Sequence, residues 1–569
     1  MSIAHCFGQQ SLHSQHFANM LSLPHNKIVD FKKALSPLAL SLISETAQNQ
    51  WRPSHYLIAK EIISQLLGSD MEDPRNWAAR LADICIEFAN FCRTNHGHPP
   101  ADLKYVIGRV FFYRNDAELL GTISSGEKLF AEIINKIPNT EGRLRVFKNL
   151  VDLFSNEAHF WAHLGRFYSV QLKRFPDARD ALKSAIALEP NDSVLHHMLG
   201  MVERSYLYQK IEQKLDISEI IDSATEASKH FFSARELSLD DEHKYISEVQ
   251  MIIRVLDFAG KSGKSDPITA ATNSSIPWLR EALQRAEDLL ATVRRMRQGN
   301  NTSEYEERCR AELDSLYGSH EKALQRWQNL LDRRDGSGKS SVYAPPIRRQ
   351  IVWTYLSRGG RRWDKLKTKE IIRCVELLDE NATQEPGNEA NIRLWMQAAR
   401  FLPEPPSIDL AIERIAYWKS ITGSVDASYY LSALYAIQAI EGSTLALERH
   451  LQEMEFCASL SRSRRTRKVS FEWFASGNGL QQLLHADQLG DWDRATGFWT
   501  QPEPLERIEG SILSITGPQA GEIELEGGVR AFFVPGPSGF DRGRSENTRV
   551  SCLLGFSYDG PRAWSVKPL

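Results

Sequence analysis

Two short stretches carry the residue types of a phosphate-binding loop. Residues 260–265 read GKSGKS, within DFAGKSGKSDP, and residues 336–340 read GSGKS, within RRDGSGKSSV. Glycine-rich backbone can aim N–H groups at phosphate oxygens, and a Lys-Ser pair can reach the outer phosphates and a magnesium ion. The loop has the form G-x-x-x-x-G-K-[ST], so its first glycine is fixed by spacing. Counting back from Gly263 lands on Phe258, and counting back from Gly338 lands on Arg333. The surroundings also depart from the motif, which follows a buried strand and opens a helix. Asp266-Pro267 follows the first stretch, and Ala344-Pro345-Pro346 follows the second. Both read as loops between helices. IIRCVELLDE at 371–380 mimics a strand ending in acids, but Arg373 and Glu376 inside it fit an amphipathic helix. G-x-S-x-G and H-E-x-x-H do not occur in the sequence. The expectation is a non-enzymatic chain with no cofactor.

Metal chemistry is no better supported. Cys85, Cys92, His96 and His98 lie close together, but C-x6-C-x3-H-x-H fits no structural zinc spacing. His5, Cys6, His13 and His16 form no ligand pattern either. His159 and His163 sit one helical turn apart, which a repeat helix explains. No metal is expected. Anion chemistry has one further candidate, SRSRRTRK at 461–468, with Arg462, Arg464, Arg465, Arg467 and Lys468. It reads as a solvated loop or as a contact to phosphate or to an acidic partner surface.

Positioning elements show most clearly at 161–168. WAHLGRFY matches W-x-x-L-G-x-x-Y, the first-helix pattern of a tetratricopeptide repeat, through Trp161, Leu164, Gly165 and Tyr168. Ala178, Leu182, Ala185 and Pro190 follow at the small, large, small and Pro spacings, with one extra residue in the turn. Leu199-Gly200 then stands where the next repeat needs its own Leu-Gly. Gly165 and Ala178 are small so that two antiparallel helices can approach, and the large residues fill the space between them. A looser second repeat reads AELDSLYGSHEKALQRWQNL at 311–330, with Gly318, Ala323, Trp327 and Leu330. Helical patterns continue at 228–258, 277–298, 365–381, 389–400, 407–419, 426–440 and 443–460. One helix pair cannot bury its apolar face alone, so neighbours must stack.

The predicted fold is mostly α. Residues 1–95 form a helical domain, with a winged helix as the alternative form, and 96–144 a helical connector. Residues 145–500 form an irregular solenoid of tetratricopeptide type. Residues 505–569 change to alternating apolar residues with frequent Gly and Pro, which predicts strands at about 508–515, 521–526, 529–534, 548–557 and 562–567. Five short strands suit a small OB or cold-shock barrel. Glu522, Glu524 and Glu526 share a face where nucleic-acid-binding barrels carry stacking aromatics. Phe533 is the remaining candidate for a base-facing ring, with core or interface as its other reading.

Of 569 residues, 42% are apolar and 25% charged, with net charge −3. Nothing in that balance draws nucleic acid or an anionic membrane. No apolar run approaches the length of about 18 residues needed to span a bilayer. Seven cysteines at irregular spacing suggest reduced thiols, and MSIAHCFGQQSLHSQHF lacks a signal-peptide pattern. A cytoplasmic protein is expected.

Three segments, in order, resemble the C-terminal winged-helix, tetratricopeptide and OB part of bacterial STAND-type P-loop NTPases. RPSHYLIAKEII (52–63) resembles the Arg-x-x-His-x-Leu-Ile-Ala segment after their ATPase core. IPNTEGRLRVFKNLVDLFSNEAHFWAHLGRFY (137–168) resembles the entry to their repeats, and SFEWFASGNGLQQLLHADQLGDW (470–492) the connector to their terminal barrel. The same order is found in the vertebrate antiviral sterile-alpha-motif proteins. The family's nucleotide-binding core would precede residue 20 and is absent from this sequence. The resemblance implies a regulatory sensor or adaptor in anti-phage defence, working with a separate NTPase or effector chain. The repeats would bind a protein partner, a peptide or that chain. The alternative is an RNA-binding module using the barrel, Phe533 and the 462–468 run.

Overall fold

The computed structural model describes residues 1–16, 33, 35–47, 49–67, 74–92, 99, 101–112, 130–137, 139–263, 265–297, 303–333, 342–462, 467–493 and 495–569. The chain forms two compact units, Met1–Tyr317 and Gly318–Leu569.

The first unit opens with α1 (Ser2–Gly8), α2 (Pro37–Ser41) and α3 (Tyr56–Leu67) around an antiparallel sheet of order β1-β3-β2. Its strands are β1 (Leu12–His13), β2 (Ile43–Ala47) and β3 (Gln50–Pro53). Within residues 1–95, read as helical or winged-helix, 43–53 form a β-hairpin. Ala47 pairs with Gln50, and Asn49 takes φ 62 at the turn, a conformation Asn tolerates. Trp51 and Pro53 alternate inward with a period of two, a signal too short to stand out within the helical run.

Helices α4 (Pro74–Phe91), α5 (Ala101–Phe111), α6 (Glu132–Lys136) and α7 (Thr140–Leu153) lead into stacked helical hairpins. These are built from α8 (Ala158–Val170), α9 (Phe175–Leu188), α10 (Ser193–Glu212), α11 (Ile217–Leu237) and α12 (His243–Ser262). Then come α13 (Pro267–Thr272), α14 (Pro277–Met296) and α15 (Glu304–Leu316). Asn139, Asp192, Asp216, Asp266 and Ser303 cap helix starts by accepting a backbone N–H.

Two glycines set the hairpin packing. A Cβ on Gly165 would lie 2.9 Å from Leu182 Cγ and 3.0 Å from the Ala178 carbonyl oxygen. A Cβ on Gly200 would lie 2.7 Å from the Phe231 ring, so α10 and α11 approach in the same way. The helix expected over 228–258 is broken instead at 238–242. Ser238 takes extended dihedrals, and the Asp241 carboxylate accepts the His243 N–H at 3.0 Å. Turn formers here interrupt an apolar period that continues on both sides.

The second unit holds α16 (His320–Leu331), α17 (Ala344–Arg358), α18 (Thr368–Gln384), α19 (Glu389–Ala399), α20 (Ile408–Thr422), α21 (Val425–Ile440) and α22 (Thr444–Leu460). Beyond α22 come short strands, β4 (Glu472–Phe474), β5 (Leu483–His485), β6 (Trp492–Asp493) and β7 (Phe498–Trp499). The helical array expected to reach residue 500 thus has its last helix at Leu460.

A closed five-stranded barrel follows, from β8 (Arg507–Gly517), β9 (Ala520–Leu525), β10 (Arg530–Phe533), β11 (Arg549–Ser557) and β12 (Gly560–Pro568). The order is β12-β10-β9-β8-β11, and a β11–β12 pairing closes it. Only β10 and β12 run parallel within the ring. β4 pairs with β11 and β5 with β4, so the connector extends the barrel's own sheet. The five strands fall where the sequence placed them; β9 and β10 alternate buried and outward positions, whereas β11 is buried along most of its length on both faces.

Candidate functional site

In the first unit, α10 packs on α12 and α12 on α15, so three helices share a layer. On α10, His197, Arg204 and Tyr208 recur at helical spacing along one side. Ser247, Gln250 and Arg254 do the same on α12, as do Glu304, Arg308 and Glu312 on α15. Leu207, Ile252, Leu256, Cys309 and Leu313 join one apolar cluster, and polar contacts add to it between α10 and α12. His197 Nε2 lies 3.1 Å from Ser247 Oγ. Arg204 Nη1 donates to the Ser247 carbonyl at 3.3 Å and to Gln250 Oε1 at 2.9 Å. The Arg204 guanidinium covers the Tyr208 ring, 5.6 Å from its centroid. Arg308 pairs with Glu304 on its own helix.

Electrostatics set this face apart. Burial lifts the Glu312 carboxyl to about 7, against the opposing pull of Arg308 and Arg254. Burial pushes His197 down to about 4 and raises the Tyr208 phenol. The Nε–H groups of Arg204 and Arg308 are buried with no acceptor among the described residues. Arg254 is exposed. Arg308 and Arg254 act on the Glu312 carboxyl, and Arg204 on Tyr208; forked N–H donors of this kind can hold a carboxylate or phosphate.

A second concavity, about 510 Å³, lies in the other unit beside Gln328, Asp332, Tyr343, Arg348, Arg373 and Glu380. Both its arginines are answered from within, Arg373 by Glu376 at 3.3 Å. Arg348 reaches Glu380 at 2.7 Å, Gln384 at 3.0 Å and Asn381 at 3.2 Å.

The residues singled out in the sequence are placed as follows. Leu164, Gly165, Tyr168, Ala178, Leu182 and Ala185 are buried between α8 and α9, and Leu199 and Gly200 are buried on α10. Trp161 is half-buried and donates its indole N–H to the Ser155 carbonyl at 2.9 Å. Pro190 lies just past the end of α9, and its carbonyl meets His196 Nε2 at 2.9 Å. GKSGKS ends a helix rather than opening one. Gly260 is buried in α12 against Pro267, and Lys261 pairs with Asp257. Lys264 and the stretch 336–340 lie outside the described residues.

Arg462 and Lys468 are exposed, and Arg467 Nε lies 3.5 Å from Asp559. Arg464 and Arg465 lie outside the described residues. Of the two readings of Phe533, the structure shows the core one and not a base-facing ring. Phe533 is 1% exposed and packs on Phe540, with centroids 6.2 Å apart and its ring edge over Gly521. Glu522 and Glu524 occupy the outward positions of β9.

His163 stacks on Phe112 at 4.3 Å. His159 lies 3.4 Å from Asp192 and 3.9 Å from Glu189, an exposed acid–histidine cluster. Cys85 and Cys92 are buried thiols, while His96 and His98 lie outside the described residues. His16 Nε2 meets Asp102 at 2.6 Å. None of the seven cysteines, all of them among the described residues, forms a disulfide. No helix among the described residues is long and apolar enough to cross a membrane.

No family model matches the chain, and no curated protein matches it. Among solved structures it is similar to the Cut9–Hcn1 hetero-tetramer of the APC/C, at 13% identity over 76% of this chain and 68% of that one, TM-score 0.32. A STAND protein with a tetratricopeptide repeat sensor from Pyrococcus horikoshii matches at 12% identity over 81% of this chain and 64% of that one, TM-score 0.33. Yeast Tom70 matches at 14% identity over 72% and 87%, TM-score 0.29. At such scores the likeness is loose, and function is read below from the chain's own geometry.

Proposed function

We propose that this chain is a non-catalytic interaction scaffold, a sensor or adaptor whose stacked hairpins bind a protein partner. The polar layer of α10, α12 and α15 supports the reading. Arg204, Arg254 and Arg308 stand on three helices packed in succession, in a class of architecture that binds through side chains of its stacked helices. The partner in this reading is a separate P-loop NTPase or effector chain of a STAND-type defence system in the cytoplasm. The support for that partner is the resemblance of 52–63, 137–168 and 470–492 to the STAND segments. We read the terminal barrel as an OB fold. Its ring order β8-β9-β10-β12-β11, with the parallel β10–β12 pair, supports this. Its outward glutamates and buried Phe533 favour a structural role over base stacking.

Native affinity capture of the tagged chain tests the proposal, with mass spectrometry of bound protein and sequencing of bound nucleic acid. A stoichiometric P-loop NTPase is expected. Recovery of RNA alone, or ATP turnover by the purified chain, would contradict it.

A further inference from the structure

In the sequence His159 pairs with His163, one helical turn away. The structure separates them. His163 stacks on Phe112, while His159 stands beside two carboxylates from beyond the far end of the hairpin. We propose that His159, Glu189 and Asp192 bind one divalent transition-metal ion of the zinc class, and that the ion ties the hairpin of α8 and α9 to the start of α10. The inference goes beyond the scaffold reading and does not rest on it.

Three elements meet at the cluster. His159 lies in the first turn of α8, Glu189 is the C-cap of α9, and Asp192 is the N-cap of α10. His159 Nε2 lies 3.4 Å from Asp192 Oδ2 and 3.9 Å from Glu189 Oε2, and one ligand atom from each residue lies within 4.8 Å of the other two. Both separations exceed the roughly 2.7–3.2 Å of an N–H···O hydrogen bond. Two atoms bound to one zinc ion at the tetrahedral angle stand about 3.4 Å apart. The spacing is therefore long for a direct bond and right for ligands that share a cation.

Charge points the same way. His159 is the one basic side chain paired with Glu189 or Asp192 among the described residues. With the imidazole neutral, the two carboxylates converge without a cation between them, and a divalent ion would offset their repulsion. Asp192 is already oriented for this. Its Oδ1 accepts the Val194 N–H at 2.7 Å, and its Oδ2 is the atom nearer His159. The turn between the two acids is held by His196, whose Nε2 meets the Pro190 carbonyl at 2.9 Å.

The donor set selects the metal. One imidazole nitrogen with two carboxylates suits Zn²⁺, Mn²⁺ or Co²⁺, whereas Ca²⁺ and Mg²⁺ favour all-oxygen surroundings. Three protein ligands leave a fourth tetrahedral position for water. Because the ligands come from two successive hairpins, a bound ion adds to the neighbour coupling on which a stacked array depends.

The test uses the full chain freed of metal with EDTA. Zn²⁺ is added in a calorimetric titration, Co²⁺ is followed by visible absorption, and melting is recorded with and without Zn²⁺. Wild type is expected to bind Zn²⁺ at micromolar concentration and to melt higher with it. His159→Ala should weaken one equivalent by about tenfold or more and lose the rise in melting, with an unchanged metal-free melting curve because His159 is exposed. Asp192→Asn should lose the same equivalent. Asparagine still caps a helix, so that loss reads coordination rather than folding. Excess Ca²⁺ or Mg²⁺ should not compete. Equal Zn²⁺ affinity and stoichiometry in wild type and both variants would overturn the proposal and leave the cluster an ion pair only. Displacement of Zn²⁺ by equimolar Ca²⁺ would overturn it as well.

Discussion

Arg400 and Glu472 form an ion pair 3.0 Å long whose side chains are 1% and 0% exposed. Arg400 ends α19, and Glu472 opens β4, the strand that extends the barrel sheet. Around the pair, the Glu472 N–H donates to the Tyr429 hydroxyl at 3.0 Å, and that hydroxyl donates to the Phe556 carbonyl at 2.9 Å. Tyr558 stacks on Tyr429 at 4.6 Å and donates to Asp426 at 2.8 Å. A terminal repeat exposes an apolar edge that needs a cap. Here the barrel supplies it, so the barrel is part of the second unit and not a tethered module.

Removing one member of that pair leaves a buried charge without its partner. Arg400→Met or Glu472→Gln alone should each destabilise the second unit by about 3–5 kcal/mol. The double variant Arg400→Met/Glu472→Leu should recover most of the loss, because one Arg400 nitrogen and one Glu472 oxygen are already unsatisfied. Urea titration of the three variants reads this out. Equal losses in single and double variants would contradict it.

Gly165→Ala should cost about 1–3 kcal/mol, since the added methyl meets Leu182 and the Ala178 carbonyl in a packed hairpin. Gly527→Ala should be worse. Gly527 has φ 72, and its methyl would fall inside the contact radius of the Ala439 carbonyl oxygen. Thermal melts measure both. Limited proteolysis of Gly527→Ala should show new cleavage near the barrel.

The raised Glu312 carboxyl makes stability depend on pH with a definite sign. Its native value of about 7 lies above the unfolded value of 4.5, so the folded chain binds more protons between the two. This group's contribution is complete below about 4.5 and falls as pH rises through 7. Glu312→Gln should therefore raise stability at pH 8 by about 1–2 kcal/mol and leave it unchanged at pH 4. Denaturation at the two pH values checks the prediction.

Phe533→Ala should destabilise the barrel by about 3–5 kcal/mol through the cavity it leaves. Phe533→Leu should lose less. If RNA binding by the intact chain were measurable, Phe533→Leu should not change it, because the ring is enclosed by Phe540 and Gly521.

Much of the packing was legible in the sequence, because it repeats. The Gly165, Ala178 and Leu182 spacing announces a hairpin, and the alternation from Ile508 to Val566 announces five strands. The 43–53 hairpin was missed because its inward residues are only Trp51 and Pro53, surrounded by helix formers. The break at 238–242 was hidden by apolar residues that keep their period on both sides. The arginine face was not legible. Arg204, Arg254 and Arg308 are ordinary amphipathic-helix residues in three separate segments, and that their helices pack in succession is a long-range feature. The Phe533 outcome follows from parity along β10, where Phe533 and Ala531 point inward and Phe532 lies half-buried with Arg562 over its ring, 4.7 Å away.

The most direct measurement is hydrogen–deuterium exchange of the chain with and without the protein partner it captures. Protection on binding should concentrate at 193–212, 243–262 and 304–316, the helices that carry the arginine face. Protection confined to the barrel strands at 507–568, with those helices unchanged, would contradict the account.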